Sequence, residues 1–111
     1  MEINELTESK VLKVGLLNNF SDLIEIDTDK EIELIVKALS SKTRRNILQE
    51  IQSGPMDVSN LAANLKMTEA NISAQVKKLE KAGLIDCNYS SGRHGVRKLS
   101  KIKYNQLLLQ F

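Results

Sequence analysis

The sequence predicts an α+β fold, mainly α, in which a three-helix core is followed by a β-hairpin. Three observations carry this. From Asp29 to Gly83 the apolar residues recur at helical spacing, and capping residues stand before each run. At Gly83 the period drops to two, and two extended runs flank a glycine-bounded turn. Charge is divided along the chain: residues 1–40 hold four lysines against nine acids, net −5, and residues 41–111 hold twelve Lys or Arg against five acids, net +7. Such polarity suits a chain that turns one half toward phosphates and the other half away from them.

Composition sets the bounds. A chain of 111 residues makes one domain with a modest core that a partner subunit would supplement. With 41% hydrophobic and 27% charged residues it is globular rather than disordered. Aromatic residues are scarce and Trp is absent, so Leu, Ile, Val and Ala must build the core. No apolar stretch approaches the roughly 20 residues of a membrane span, and the acidic start MEINELTESK is unlike a secretory signal. The single cysteine, Cys87, excludes an intrachain disulfide and fits a reducing compartment. The expectation is a cytoplasmic, nucleoid-associated protein without a membrane partner.

The elements follow in order. Residues 1–28 read as an N-terminal extension: Leu12, Val14 and Leu16 alternate as on a strand, NNFS makes a turn, and DLIEID a second strand. A helix over residues 3–13 is the alternative, since Ile3, Leu6 and Lys10 share helical spacing. In TDKEIELIVKALS, Ile32, Ile35, Val36 and Leu39 share a face, with Thr28 or Asp29 as cap and acids in the first turn. SSKTRRNILQEIQSGP supplies a serine cap, an Ile47/Leu48/Ile51 stripe and a Gly54-Pro55 stop. MDVSNLAANLKM is a short helix capped by Ser59 and buried through Leu61, Ala62 and Leu65. Thr68 then caps a helix over 69–82 that buries Ile72, Val76 and Leu79, and Gly83 ends it. LIDCNYS and VRKLSKIKY flank SSGRHG as a hairpin over 84–103. The apolar tail 105–111, NQLLLQF, is a last strand or a short helix.

Helices, the last two joined by a turn, followed by a hairpin, are the order of a winged helix-turn-helix over residues 29–104. In that architecture the helix near 59–66 crosses the DNA backbone, the helix over 69–82 enters the major groove, and the hairpin is the wing. On a helical wheel the face opposite Ile72 and Val76 holds Ala70, Asn71, Ala74, Lys77, Lys78 and Lys81, with Ser73 and Gln75 on its flanks and Thr68 at its start. Asn and Gln can pair bidentately with adenine and alanine can sit against a thymine methyl. The lysines suit phosphates, which position without specifying. Arg93, His94, Arg97 and Lys98 cluster on the hairpin where a wing meets the backbone or the minor groove, and Arg44 and Arg45 add cations to the second helix. One of these two arginines can instead pair with an acid for structure.

The stretch ALSSKTRRNIL…VSNLAANLKMTEANISAQVKKLEKAGLI resembles the ArsR-type winged-helix transcriptional regulators, the archaeal members in particular. The matching residues are Ala38, Leu39, Arg44, Ile47 and Leu48, then Leu61 and Ala62, then Ile72, Ser73, Lys77, Lys78 and Leu79, and finally Ala82 to Ile85. The likeness runs from residue 30 to about 104 and implies a DNA-binding repressor that works as a homodimer. The family often has His where Gln75 stands, so its base preference does not carry over.

Many ArsR-type regulators sense metals through cysteine pairs or His/Asp/Glu clusters. Here one Cys and one His stand at opposite ends of a wing strand, whereas a tight transition-metal site needs three or four converging ligands. The sequence therefore predicts no metal, no cofactor and no catalytic residue: no nucleophile lies beside a base and there is no phosphate-binding glycine loop. Cys87 falls on the apolar face of its strand and reads as a small buried hydrophobe.

The expected partners are double-stranded DNA and a second copy of the chain, paired through the N-terminal segment, the helix over 30–39 and the tail residues Leu107, Leu108, Leu109 and Phe111. The alternative function is a winged-helix protein-interaction module in a transcription or replication assembly, which would require an exposed apolar patch on the helix over 69–82.

Overall fold

The structure is a computed structural model that describes residues 12–18, 23–92 and 95–111. Among the described residues, two small antiparallel sheets flank a bundle of four helices. Strand β1 (Lys13–Leu17) pairs with β2 (Ile24–Ile26) on one side and with β6 (Gln106–Gln110) on the other, giving the order β2-β1-β6. The register sets Val14 beside Ile26 and Leu109, and Leu16 beside Ile24 and Leu107. All six apolar side chains therefore share one face, because side chains level with each other across a ladder point the same way. That face turns Val14 and Leu16 into the core. The extended pattern at Leu12–Leu16 and the second strand after it are thus present, and the tail is a strand. The alternative helix over 3–13 falls largely outside the described residues.

Helix α1 (Asp29–Leu39) starts at Thr28, whose hydroxyl accepts from the Glu31 amide at 3.2 Å. Asp29 and Glu31 occupy its first turn and Lys37 its last, as the helix dipole favours. It buries Ile35 and Ala38. Val36, which the wheel placed on the buried face, is half exposed, and Ala38 takes its place in the core. Helix α2 (Lys42–Glu50) is capped by Ser41 and tightens into a 3₁₀ turn, Ile51–Ser53, whose Ile51 is fully buried. Strand β3 (Met56–Asp57) follows, then α3 (Val58–Leu65), α4 (Glu69–Lys81), β4 (Ile85–Gly92) and β5 (Gly95–Ile102).

The cap of α3 differs from expectation. Ser59 lies inside the helix, and Asp57 takes the role, its Oδ1 accepting from the Asn60 amide at 2.8 Å. The carboxylate sits at the end of β3, where the chain is still extended, and so reaches the free amides of the first turn. The end of α4 follows the sequence closely. Gly83 at φ +79° lets its own N–H reach the Glu80 carbonyl at 3.0 Å and that of Leu84 the Leu79 carbonyl at 3.1 Å. Leu84 and Ile85, both buried, then pin β4 to the core.

The wing pairs Ile85 with Ile102 through to Gly92 with Gly95, and β3 adds to it through Met56–Ser100 and Asp57–Leu99, giving the order β3-β5-β4. Ile47, Ile51, Leu61, Ile72, Val76, Leu79 and Ile85 interlock at its base, with half-buried Tyr104 packed against the cluster. Truncating one of the larger side chains, as in Ile72→Ala, leaves a cavity and costs about 2–5 kcal/mol. Among the described residues no helix is long and apolar enough to cross a membrane.

Candidate nucleic-acid interface

Helix α4 presents the surface that the wheel outlined. Ile72, Val76 and Leu79 are buried; Ala70, Asn71, Ala74, Lys77, Lys78 and Lys81 are exposed; Ser73 and Gln75 lie between the two. Thr68 faces the first turn, its Oγ1 accepting from the Asn71 amide at 3.1 Å. No large apolar side chain of α4 itself is exposed; Met67, just before the helix, marks the edge of the surface.

Two of the amides are held rather than free. Arg44 Nη1 donates to Gln75 Oε1 at 2.7 Å, and Gln75 Nε2 donates to Asn71 Oδ1 at 3.1 Å. The chain has a direction. A guanidinium only donates, so the atom of Gln75 that faces it is the oxygen, and the Gln75 nitrogen faces the Asn71 oxygen. The Asn71 nitrogen is left pointing away, with the Met67 sulfur 3.7 Å off as a weak acceptor. Asn71 and Gln75 stand one helical turn apart, which is what brings the two amides together.

Arg44 also closes the end of α1. Its Nε donates to the Ala38 carbonyl at 2.8 Å and its Nη2 to that of Lys37 at 2.9 Å, while Arg45 Nη1 reaches the Leu39 carbonyl at 2.7 Å. The last carbonyls of a helix have no partner within it, and cations belong at that negative end. The structural partner of both arginines is therefore backbone carbonyl, where the sequence suggested an acid. Three of the five N–H groups of Arg44 are thus occupied within the protein.

On the wing, strand alternation separates the expected cations. Lys98 lies on the inner face and pairs with Glu80 of α4 at 3.2 Å, its side chain largely covered. Arg97, on the other face, meets Asp57 Oδ2 at 2.8 Å and keeps about half its side chain, 53%, in solvent. Arg93 and His94 lie outside the described residues. Cys87, half buried on the inner face, has its sulfur 3.7 Å from the Ser100 hydroxyl, and burial pushes its thiol above the usual range.

Beside α4, the side chains of Leu34, Lys37, Ala38, Ser40, Arg44, Lys78 and Lys81 line an open cleft of about 380 Å³. Lys78 and Lys81 thus stand with Lys37 and Arg44 in one basic cluster. The wheel found the two lysines, but only the fold brings α1 alongside them. Among the described residues no group of three or more His, Cys, Asp or Glu converges as a metal site would require.

Residues 41–86 match the model of the family described as "Bacterial regulatory protein, arsR family". Among solved structures, the chain is similar to a crystal structure of an ArsR family transcriptional regulator at 32% identity, over 66% of this chain and 76% of that one, with a TM-score of 0.56. It resembles HlyU from Vibrio cholerae in fold, at 16% identity over 66% and 75% of the two chains, TM-score 0.57. It also resembles the homodimeric winged helix-turn-helix DNA-binding domain Mb0332 from Mycobacterium bovis, at 22% identity over 71% and 75%, TM-score 0.59. No curated protein matches the sequence.

Proposed function

We propose, from the premise that this chain belongs to the ArsR family of helix-turn-helix DNA-binding transcriptional regulators, that two copies bind a palindromic DNA site in the cytoplasm and repress transcription by blocking access to it. Helix α4 enters the major groove and the wing follows the backbone or adjacent minor groove. Ala70, Asn71, Ser73, Ala74 and Gln75 face the bases, Thr68 stands at the backbone end of the helix, and Lys77 and Lys78 meet phosphates. Arg93 and Arg97 give the wing its charge with His94 beside them, Lys98 is held inward by Glu80, and Arg44 stands behind the reading helix.

The observation that carries this proposal is the exposed face of α4, which is polar, short or cationic along its whole length and free of large apolar groups. A surface meant for a partner helix would expose an apolar stripe there. That requirement of an interaction module is missing on α4. Tyr89 and Val96 are exposed on the wing, while Ile24, Val36, Leu108 and Leu109 are exposed on β2, α1 and β6, a grouping that suits pairing of two copies away from the DNA. The homodimeric state of the Mycobacterium bovis domain supports the same assembly.

Titration of labelled duplex from the protein's own upstream region, at several salt concentrations, tests it. Wild type should bind with a steep salt dependence, and Lys77→Ala/Lys78→Ala should flatten the slope by about one unit per lost phosphate contact. Asn71→Ala should lose preference over random duplex while keeping most of the salt slope. Absence of duplex binding at low salt would refute the proposal.

A further inference from the structure

Building on the homodimer proposed above, we infer that the two copies join edge to edge through β6, antiparallel about Leu108, so that one sheet of six strands runs β2-β1-β6 and then β6-β1-β2 through the assembly. The starting point is a sheet edge that no strand among the described residues pairs with. Strand β6 ends the β2-β1-β6 sheet, and the whole segment Tyr104–Phe111 carries no Lys, Arg, Asp, Glu or Pro. Monomeric proteins normally blunt such an edge with charge, proline or brevity. The opposite edge of the same sheet does so: β2 has three residues, Glu25 at its centre and Asp27 directly after it.

The exposed strand is apolar on both faces. Leu108 is 51% exposed on one and Leu109 46% on the other, and Phe111 just beyond is 97% exposed. The Leu108 side already has an apolar neighbour. Gly15 sits level with Leu108, and Leu23 lies over that glycine so closely that an added Cβ would fall 2.6 Å from its Cδ1. On the opposite face Leu107 and Leu109 continue the row formed by Val14, Leu16, Ile24 and Ile26.

The segment itself says what covers this edge. Gln106–Gln110 reads Gln-Leu-Leu-Leu-Gln in either direction. Laid antiparallel on a second copy with Leu108 opposite Leu108, it sets Leu107 against Leu109 and Gln106 against Gln110, apolar with apolar and amide with amide. A two-fold axis through Leu108 makes every such pair twice, and with no charge in the strand nothing repels its own image. On one face the rows Leu23–Gly15–Leu108 of the two copies meet end to end; on the other the leucine rows join. A strand of another protein would need its own complementary pattern, whereas a second copy carries it already.

Cysteine cross-linking in a Cys87→Ser background tests the register. Residues directly opposite in an antiparallel pair have Cα atoms about 4.5–5.5 Å apart, within the range a disulfide spans. Leu108→Cys should therefore form a covalent dimer to completion under mild oxidation. Gln106→Cys, whose own copy would lie about 13 Å away along the strands, should not cross-link alone but should do so when mixed with Gln110→Cys. Sedimentation equilibrium of the unmodified protein separates the two ideas. A dimer in which Leu108→Cys stays reduced while Val36→Cys cross-links would overturn the β6 junction and leave the homodimer standing. A monomer at concentrations that saturate DNA would overturn both, and cross-linking of Gln106→Cys alone would overturn the register.

Discussion

Arg44 and Gln75 are joined by a hydrogen bond of 2.7 Å that links the start of α2 to the middle of α4. The same guanidinium satisfies the carbonyls of Lys37 and Ala38 at the end of α1. One side chain thus ties three helices together and sets which way the amides of Gln75 and Asn71 point. Replacing it with alanine should cost about 1–3 kcal/mol, because three acceptors, two of them in part-buried bonds, lose their donor at once. Lysine, a point charge without a fork, should recover only part of that. Urea midpoints of Arg44→Ala and Arg44→Lys measure it, and an unchanged midpoint in both would show that the tie carries no stability. DNA selectivity should fall in parallel, since Gln75 and Asn71 lose the donor that orients them.

Lys66 ends α3 in the left-handed region, at φ 57° and ψ 49°. Its N–H reaches the Ala63 carbonyl at 3.3 Å and that of Met67 the Ala62 carbonyl at 3.0 Å, the bonding pattern that glycine makes at Gly83. A residue with a Cβ is strained there by about 1–2 kcal/mol, part of which glycine returns through the greater freedom of its unfolded chain. Lys66→Gly should therefore stabilise the protein by about 0.5–1 kcal/mol. The expected result is a higher urea midpoint at unchanged slope; a lower midpoint would mean that the lysine side chain makes up for the strain.

These two positions show where sequence reasoning works and where it stops. Thr28, Ser41, Thr68 and Gly83 announce helix ends because a cap acts on amides or carbonyls within a few residues of itself. The buried stripe of α4 was legible for the same reason, as was the hairpin. Lys66 gives no such signal, since lysine seldom adopts that conformation. Asp57 gives no cap signal in the sequence because β3 has only two residues, too few for alternation, and exists only through its pairing with Ser100 and Leu99. The side-chain partners of Arg44 and Lys98, Gln75 and Glu80, lie 31 and 18 positions away, so neither pairing is visible until the chain is folded. In the candidate interface, residue types and exposure on α4 were visible in advance, and the Arg44–Gln75–Asn71 chain was not.

Cys87 offers a test by pH. Burial raises its thiol pKa above the ordinary value, so the folded protein holds the proton longer than the unfolded chain does. The stabilisation is therefore fully present below the unfolded pKa, and it is lost as pH rises from there through the folded pKa. Wild type should lose more stability than Cys87→Ser on passing from neutral to alkaline solution, measured as the difference of their urea midpoints across pH. Native Cys87 should also alkylate more slowly than the urea-unfolded chain at neutral pH, because the thiolate is the reacting form. Equal rates would show that the fold does not protect it.

Asp57 couples the cap of α3 to the charge of the wing, accepting from the Asn60 amide with one oxygen and from Arg97 with the other, each at 2.8 Å. Asparagine keeps an oxygen for the cap but removes the charge that holds Arg97, whereas alanine removes both. Asp57→Ala should lose about 1–2 kcal/mol from the cap, and Asp57→Asn much less. On duplex DNA the order should reverse in sense: Asp57→Asn takes a negative charge from beside Arg97, so non-specific binding should tighten and its salt dependence steepen. Titration of wild type, Asp57→Asn and Glu33→Gln, which removes one negative charge from exposed α1 instead, against random duplex at several salt concentrations separates the two contributions. If Asp57→Asn tightens binding more than Glu33→Gln does, the released guanidinium meets phosphate and the wing lies on the DNA. If the two tighten it equally, the gain reflects only the change in net charge, and Arg97 serves the fold alone.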